Sequence, residues 1–96
     1  MALNSRQKKY LKGQAHHLSP VAFVGSNGLT DAVVAEIDRT LASHELIKVR
    51  LRVEDRSELD AAISPMLAKT GSELVQVIGH LVILYRPAPE PKLALP

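Results

Sequence analysis

The chain has 96 residues, 46% of them hydrophobic, with a formal net charge of +2, no cysteine, no tryptophan, one phenylalanine and two tyrosines. That length supports one small domain with a real core but not a deep catalytic cleft with its own lid, and the missing cysteines exclude a disulfide framework and thiolate metal sites. The charged start MALNSRQKKYLKG lacks the apolar stretch of a signal peptide, and the longest apolar run, Leu81 to Tyr85, is too short to span a bilayer, so a soluble cytoplasmic protein is expected.

The charge is unevenly placed. Arg6, Lys8, Lys9 and Lys12 precede Asp31 with no acid among them, and the acids are spread over the remainder. A localised cationic block is the footprint of a polyanion partner, although a solvated helix face also produces one.

From Ser5 to about Ala15 the residues suit a helix, with Ser5 as N-cap and Leu11, Ala15, Leu18 and Tyr10 on its packed side. Lys8, Lys12 and His16 share a face of it, with Lys9 beside them. Pro20 biases the residue before it toward extended geometry, and Val21 to Val24 read as a strand. Next comes Gly25-Ser26-Asn27-Gly28, and then Thr30, a good N-cap for a helix carrying Val33, Val34, Ile37 and Leu41 and running to about His44. Leu29 precedes that cap, placed to staple against Val34.

Leu46 to Val53 alternates with period two, which predicts a strand with Ile47, Val49, Leu51 and Val53 on one face and Lys48, Arg50 and Arg52 on the other. Three bases along one strand face repel one another, so an anion is expected there; the competing reading is an edge strand guarded by charge. After the turn Glu54-Asp55-Arg56, Ser57 with Asp60 resembles a capping pair for a helix from about Glu58 to Lys69. Ala61, Ala62, Met66 and Leu67 are its expected buried side, Pro65 lies inside it, and Gly71 closes it as a left-handed cap. Leu74 to Ile78 and Leu81 to Arg86 form a hairpin about Gly79-His80. The domain is expected over residues 1–87, followed by an extended, loosely held proline-rich tail over 88–96. The order α-β-α-β-α-β-β predicts an α/β fold with a four-stranded mixed sheet and right-handed crossovers.

No histidine, aspartate or glutamate set has metal-ligand spacing, and no serine sits in a G-x-S-x-G elbow, which argues against an enzyme, a metal or any cofactor or small-molecule substrate. Gly-Ser-Asn-Gly between strand and helix admits two readings: a tight turn, or a cradle of backbone amides for phosphate. It lacks the G-K-[ST] ending of a nucleotide P-loop and the third glycine of a dinucleotide fingerprint. A G-x-x-G clamp on single-stranded or looped RNA suits the loop, the bases and the size of the chain together.

QKKYLKGQAHHLSPVAFVGSNGLTDAVVAEI, then HELIKVR, EDR, TGSELVQVIG and LVILYRP resemble the CRM domain, specifically the YhbY family of single-domain bacterial proteins, from about Asn4 to Pro87. The resemblance implies an RNA-binding module associated with precursors of the large ribosomal subunit. It also implies a fold similar to the C-terminal domain of translation initiation factor 3, with a G-x-x-G loop similar to that of KH domains. The RNA-binding residues it implies are Gly25, Ser26, Asn27 and Gly28, supported by Lys8, Lys9, Lys12, Lys48, Arg50 and Arg52. The loop departs from many phosphate clamps in having no base between its glycines, so the charge must come from neighbouring elements. It also joins strand to helix, where the KH loop joins two helices. The expected function is RNA binding in large-subunit assembly by a cytoplasmic monomer; the alternative is an interaction module whose basic face docks an acidic protein.

Overall fold

In the computed structural model, which describes residues 3–91 and 93–96, the elements follow in chain order. They are α1 (Ser5–Ala15), β1 (Pro20–Val24), α2 (Asp31–His44), β2 (Leu46–Leu51), α3 (Arg56–Thr70), β3 (Glu73–Ile78) and β4 (Leu81–Tyr85). The expected order is therefore present, and the four strands form one mixed sheet in the order β1-β2-β4-β3. β1 runs parallel to β2, and β4 pairs antiparallel with both β2 and β3.

The helix starts differ from expectation for a local reason. α1 is capped by Asn4 and not Ser5: Asn4 Oδ1 accepts from the Gln7 amide at 2.8 Å while Gln7 Oε1 accepts from the Asn4 amide at 3.1 Å. A capping box needs an acceptor side chain three residues past the cap, and Gln7 supplies one for Asn4 where Lys8 cannot for Ser5. α3 is capped by Asp55, whose carboxylate accepts from the Glu58 amide at 2.9 Å, while Glu58 Oε2 accepts from the Glu54 amide. Asp60 pairs with Arg56 at 2.9 Å instead of capping with Ser57. Thr30 caps α2 as expected, its hydroxyl accepting from the Val33 amide at 3.2 Å. α3 runs through Pro65, which removes the donor its Ala61 carbonyl would otherwise receive, and ends at Gly71 with φ 64° and ψ 26°.

Both faces of the sheet are covered, unequally. Ile37 and Leu41 of α2 and Leu59 and Met66 of α3 close over Ala22, Val24, Ile47, Val49, Leu51, Val82 and Leu84. Leu59 and Met66, with Ala62, Ile63 and Leu67 half-buried, make the inner side of α3; Ala61 faces solvent instead. On the opposite face Leu11 and Ala15 of α1 pack on Leu46, Val75, Ile83 and Tyr85, with Tyr10, Leu93 and Leu95 against the same cluster. Leu18 is 37% exposed and does not extend this packed side. The proline-rich stretch thus returns to α1, where Gln7 Nε2 donates to the Pro96 carbonyl at 3.4 Å; residue 92 of it lies outside the described residues.

This second layer changes the reading of β2. The strand is central, flanked by β1 and β4, which removes the edge-strand alternative. It ends at Leu51, short of Val53. Lys48 does not stand on an open face beside Arg50: it is only 9% exposed, and its ammonium donates to the Leu18 carbonyl at 2.8 Å. The chain leaving α1 lies over that part of the sheet, so the lysine is spent on holding it there.

Candidate nucleic-acid interface

α1 covers one half of its sheet face and leaves the other open. Register places Phe23 beside Arg50, Arg50 beside Leu81 and Leu81 beside Ile78, one row running across all four strands. Their chain neighbours Val24, Val49, Leu51, Val82 and Val77 belong to the α2–α3 core, so the pleat turns the whole row toward the α1 side. Phe23, Arg50 and Ile78 are exposed there and Leu81 is half-buried.

Two backbone bonds assemble the end of the sheet. The Arg52 amide donates to the Val24 carbonyl at 2.8 Å, so Arg52 stays alongside β1 beyond the last residue of β2. The Leu51 amide donates to the His80 carbonyl at 2.9 Å, drawing the β3–β4 turn to the same end. Arg50, Leu51, Arg52, Ile78, His80 and Leu81 line one open hollow that contains no carboxylate. Gly25 follows Val24 directly, so the Gly25–Gly28 loop leaves the sheet beside this hollow.

The loop is a turn closed by the Gly28 amide donating to the Gly25 carbonyl at 3.0 Å. Gly28 needs to be glycine for conformation, since its φ is 73°. Gly25 has no such need, and an added Cβ there meets nothing within 4 Å. What it leaves is bare backbone open to an approaching group. Among the described residues no hydrogen bond uses the amides of Ser26 or Asn27, so these donors are available. The α2 terminus offers less than the sequence suggests, because Thr30 already caps it and Asp31 places a carboxylate in its first turn.

The flank of α1 that meets the open half-face follows from helical spacing. Leu11 and Ala15 point into the sheet; at 100° per residue Lys8 and Lys12 lie to one side, Gln7 and Gln14 to the other. Gln7 bonds Pro96, and Gln14 lines a separate hollow with His44, Leu46 and Leu93. The flank with Lys8 and Lys12 is therefore turned toward the open half-face that carries Phe23 and Arg50.

The arginines elsewhere are committed. Arg39 pairs with Glu36, Arg56 with Asp60, and Arg86 with Asp38 while also donating to the Thr70 carbonyl at 2.7 Å. Among the described residues Arg6, Lys8, Lys9, Lys12, Arg50 and Arg52 make no ion pair or side-chain hydrogen bond, and Lys69 in the last turn of α3 is the other such base. No group of three or more His, Asp or Glu that could hold a metal occurs among the described residues.

Comparison with known proteins decides the family. The model of the CRS1 / YhbY (CRM) domain matches residues 3–86. The chain belongs to the CRM domain family. An RNA-binding protein of Haemophilus influenzae is 48% identical over 94 residues, covering 98% of this chain and 95% of the relative. A Pseudomonas aeruginosa relative, named as a probable RNA-binding protein, is 46% identical over 91 residues, with 95% and 88% covered. The solution structure of a Staphylococcus aureus protein, described with RNA binding as its inferred role, superimposes with a TM-score of 0.74 at 35% identity, covering 99% of this chain and 100% of that one.

In this CRM domain Lys9, Lys12, Arg50, Arg52, Gly25, Ser26 and Asn27 are exposed, Lys8 and Gly28 half-buried, and Lys48 is withdrawn beneath the α1–β1 connection. Phe23 and His80 enter the same surface without having been singled out by the sequence. The signal for Phe23 was present: in Val21-Ala22-Phe23-Val24 the small Ala22 and Val24 go inward, and period two then sends Phe23 out.

Proposed function

We propose that this chain is a non-enzymatic RNA-binding protein that docks as a monomer on ribosomal RNA in precursors of the large ribosomal subunit, in the cytoplasm. The observation that carries the reading is the segregation of uncommitted cations. Acid-paired arginines lie on α2, α3 and the end of β4. Six of the seven unpaired bases among the described residues, Lys69 excepted, lie on α1 and at the end of β2, the strand end that carries a loop with free amides. Phosphates supply the missing counter-charge, and backbone amides beside a bare Gly25 permit close approach. The names of the curated relatives support RNA as the partner.

Sedimentation of cell extract through a gradient, with and without nuclease treatment, tests this. The protein is expected to travel with large-subunit precursor particles and to return to the top of the gradient once exposed RNA is digested. Co-sedimentation that survives digestion assigns the basic face to an acidic protein instead.

A further inference from the structure

The row across the open half of the sheet carries more than charge. The chain has a single phenylalanine, and it is 60% exposed near the end of β1, next to Arg50 in register. Tyr85 is buried and Tyr10 half-buried, so this ring is the most exposed phenyl or phenol surface among the described residues, with the exposed imidazole of His80 on the same surface. Leu81 and Ile78 continue the apolar row on the far side of Arg50, and the flanking groups are Arg52, His80 and the Gly25–Gly28 loop.

The geometry points to a nucleobase platform: Phe23 stacks an unpaired base of the bound RNA while Arg50, Arg52 and the loop amides hold the phosphates on either side of it. This rests on the RNA-binding reading and specifies what the site accepts, namely nucleotides free of a duplex. Charge favours RNA over a protein partner. An apolar row interrupted by an arginine, bordered by a second arginine and a lysine-bearing helix flank and lined by no carboxylate, complements a ligand that alternates flat apolar rings with anions. Bases inside an A-form duplex are stacked on one another and cannot reach the ring, so the platform discriminates by strandedness and not by sequence. Every base has a π-face, and the apolar members of the row, Phe23, Leu81 and Ile78, offer no hydrogen bond to tell one base from another.

The test measures affinity of the full chain for an unpaired oligoribonucleotide of about a dozen residues, within the range a small single-strand site covers, and for a blunt RNA duplex of equal length. The parent, Phe23→Ala, Phe23→Leu and Phe23→Tyr are compared at several salt concentrations. Because the ring is largely in solvent, all variants are expected to melt near the parent. The Ala and Leu variants should lose roughly 10-fold in affinity for the single strand, the size of one lost stacking contact. The Tyr variant should match the parent, duplex affinity should stay constant, and the salt slope should not change because no cation is removed. Photocrosslinking of the parent to the single strand should place the nucleotide adduct on Phe23. Unchanged single-strand affinity in Phe23→Ala, or full retention by Phe23→Leu, overturns the platform and leaves the row to a protein partner, while salt-dependent RNA binding by the parent still stands. A parent that binds neither RNA overturns the platform together with the RNA reading beneath it.

Discussion

Lys48 and Arg50 are two residues apart on one strand face, yet Lys48 is covered and bonded while Arg50 is exposed and unpaired. Lys48→Gln removes a charged donor 2.8 Å from the Leu18 carbonyl, in a position that is only 9% exposed. Hydrogen bonds to charged groups contribute about 1.5–3 kcal/mol, and the lower end applies because Leu18 is itself partly in solvent, so water can replace the lost donor. Taking about 1.5 kcal/mol, and an unfolding entropy of about 0.2 kcal/mol/K for a chain of this length, the melting temperature should fall by about 7 °C. Arg50→Gln touches an exposed side chain with no ion pair, so its stability should stay within about 0.5 kcal/mol of the parent. RNA affinity should divide the other way: Arg50→Gln weakens binding and flattens the log-log salt slope by about 0.7–0.9, whereas Lys48→Gln, measured well below its melting point, binds as the parent does. Differential scanning fluorimetry and fluorescence anisotropy on the same samples check both. A Lys48→Gln variant as stable as the parent but deficient in RNA binding would refute the reasoning and return Lys48 to the interface.

Three further outcomes follow from the loop and the core. Gly25→Ala should leave stability unchanged or slightly raised, since neither backbone angle nor space opposes it, yet reduce RNA affinity; Gly28→Ala should lower stability by about 1 kcal/mol through its φ of 73°, and thermal melts with binding curves separate the two. Changing Ser26 and Asn27 together to Asp keeps residues that turns tolerate, so the melt should barely move, while RNA binding falls most at low salt where repulsion is least screened. Burial, and then the nearby carboxylates of Glu45 and Glu73, raise the Tyr85 phenol above its ordinary 10.0. Stability from the neutral phenol is therefore complete below that value and lost as pH rises through the higher folded one, so Tyr85→Phe should unfold less readily than the parent in strongly alkaline denaturant titrations.

What the sequence discloses is what is local. Thr30 with Val33, Ile37 and Leu41 defines α2 because cap and periodicity agree over a few residues, and Gly71 marks the end of α3 because only a left-handed residue closes it there. The glycine loop and the bases of α1 are legible for the same reason. Lys48 is misread because period two says which side of a strand a residue takes, and not whether that side is covered. Its cover is the connection after α1, distant in sequence and brought over β2 only by the packing of Leu11 and Ala15. The platform row is hidden in the same way, since Phe23, Arg50, Leu81 and Ile78 become neighbours only through a strand order in which β4 inserts between β2 and β3.

The most direct measurement is the salt dependence of the parent's affinity for structured ribosomal RNA. If about four of the unpaired bases Lys8, Lys9, Lys12, Arg50 and Arg52 each meet a phosphate, the logarithm of the association constant should fall with the logarithm of salt concentration at a slope of roughly −2.8 to −3.6, from about −0.7 per phosphate on single strands to −0.9 on duplex. Binding that is absent, or that holds constant as salt rises, would contradict an interface built from uncommitted cations around a bare backbone loop.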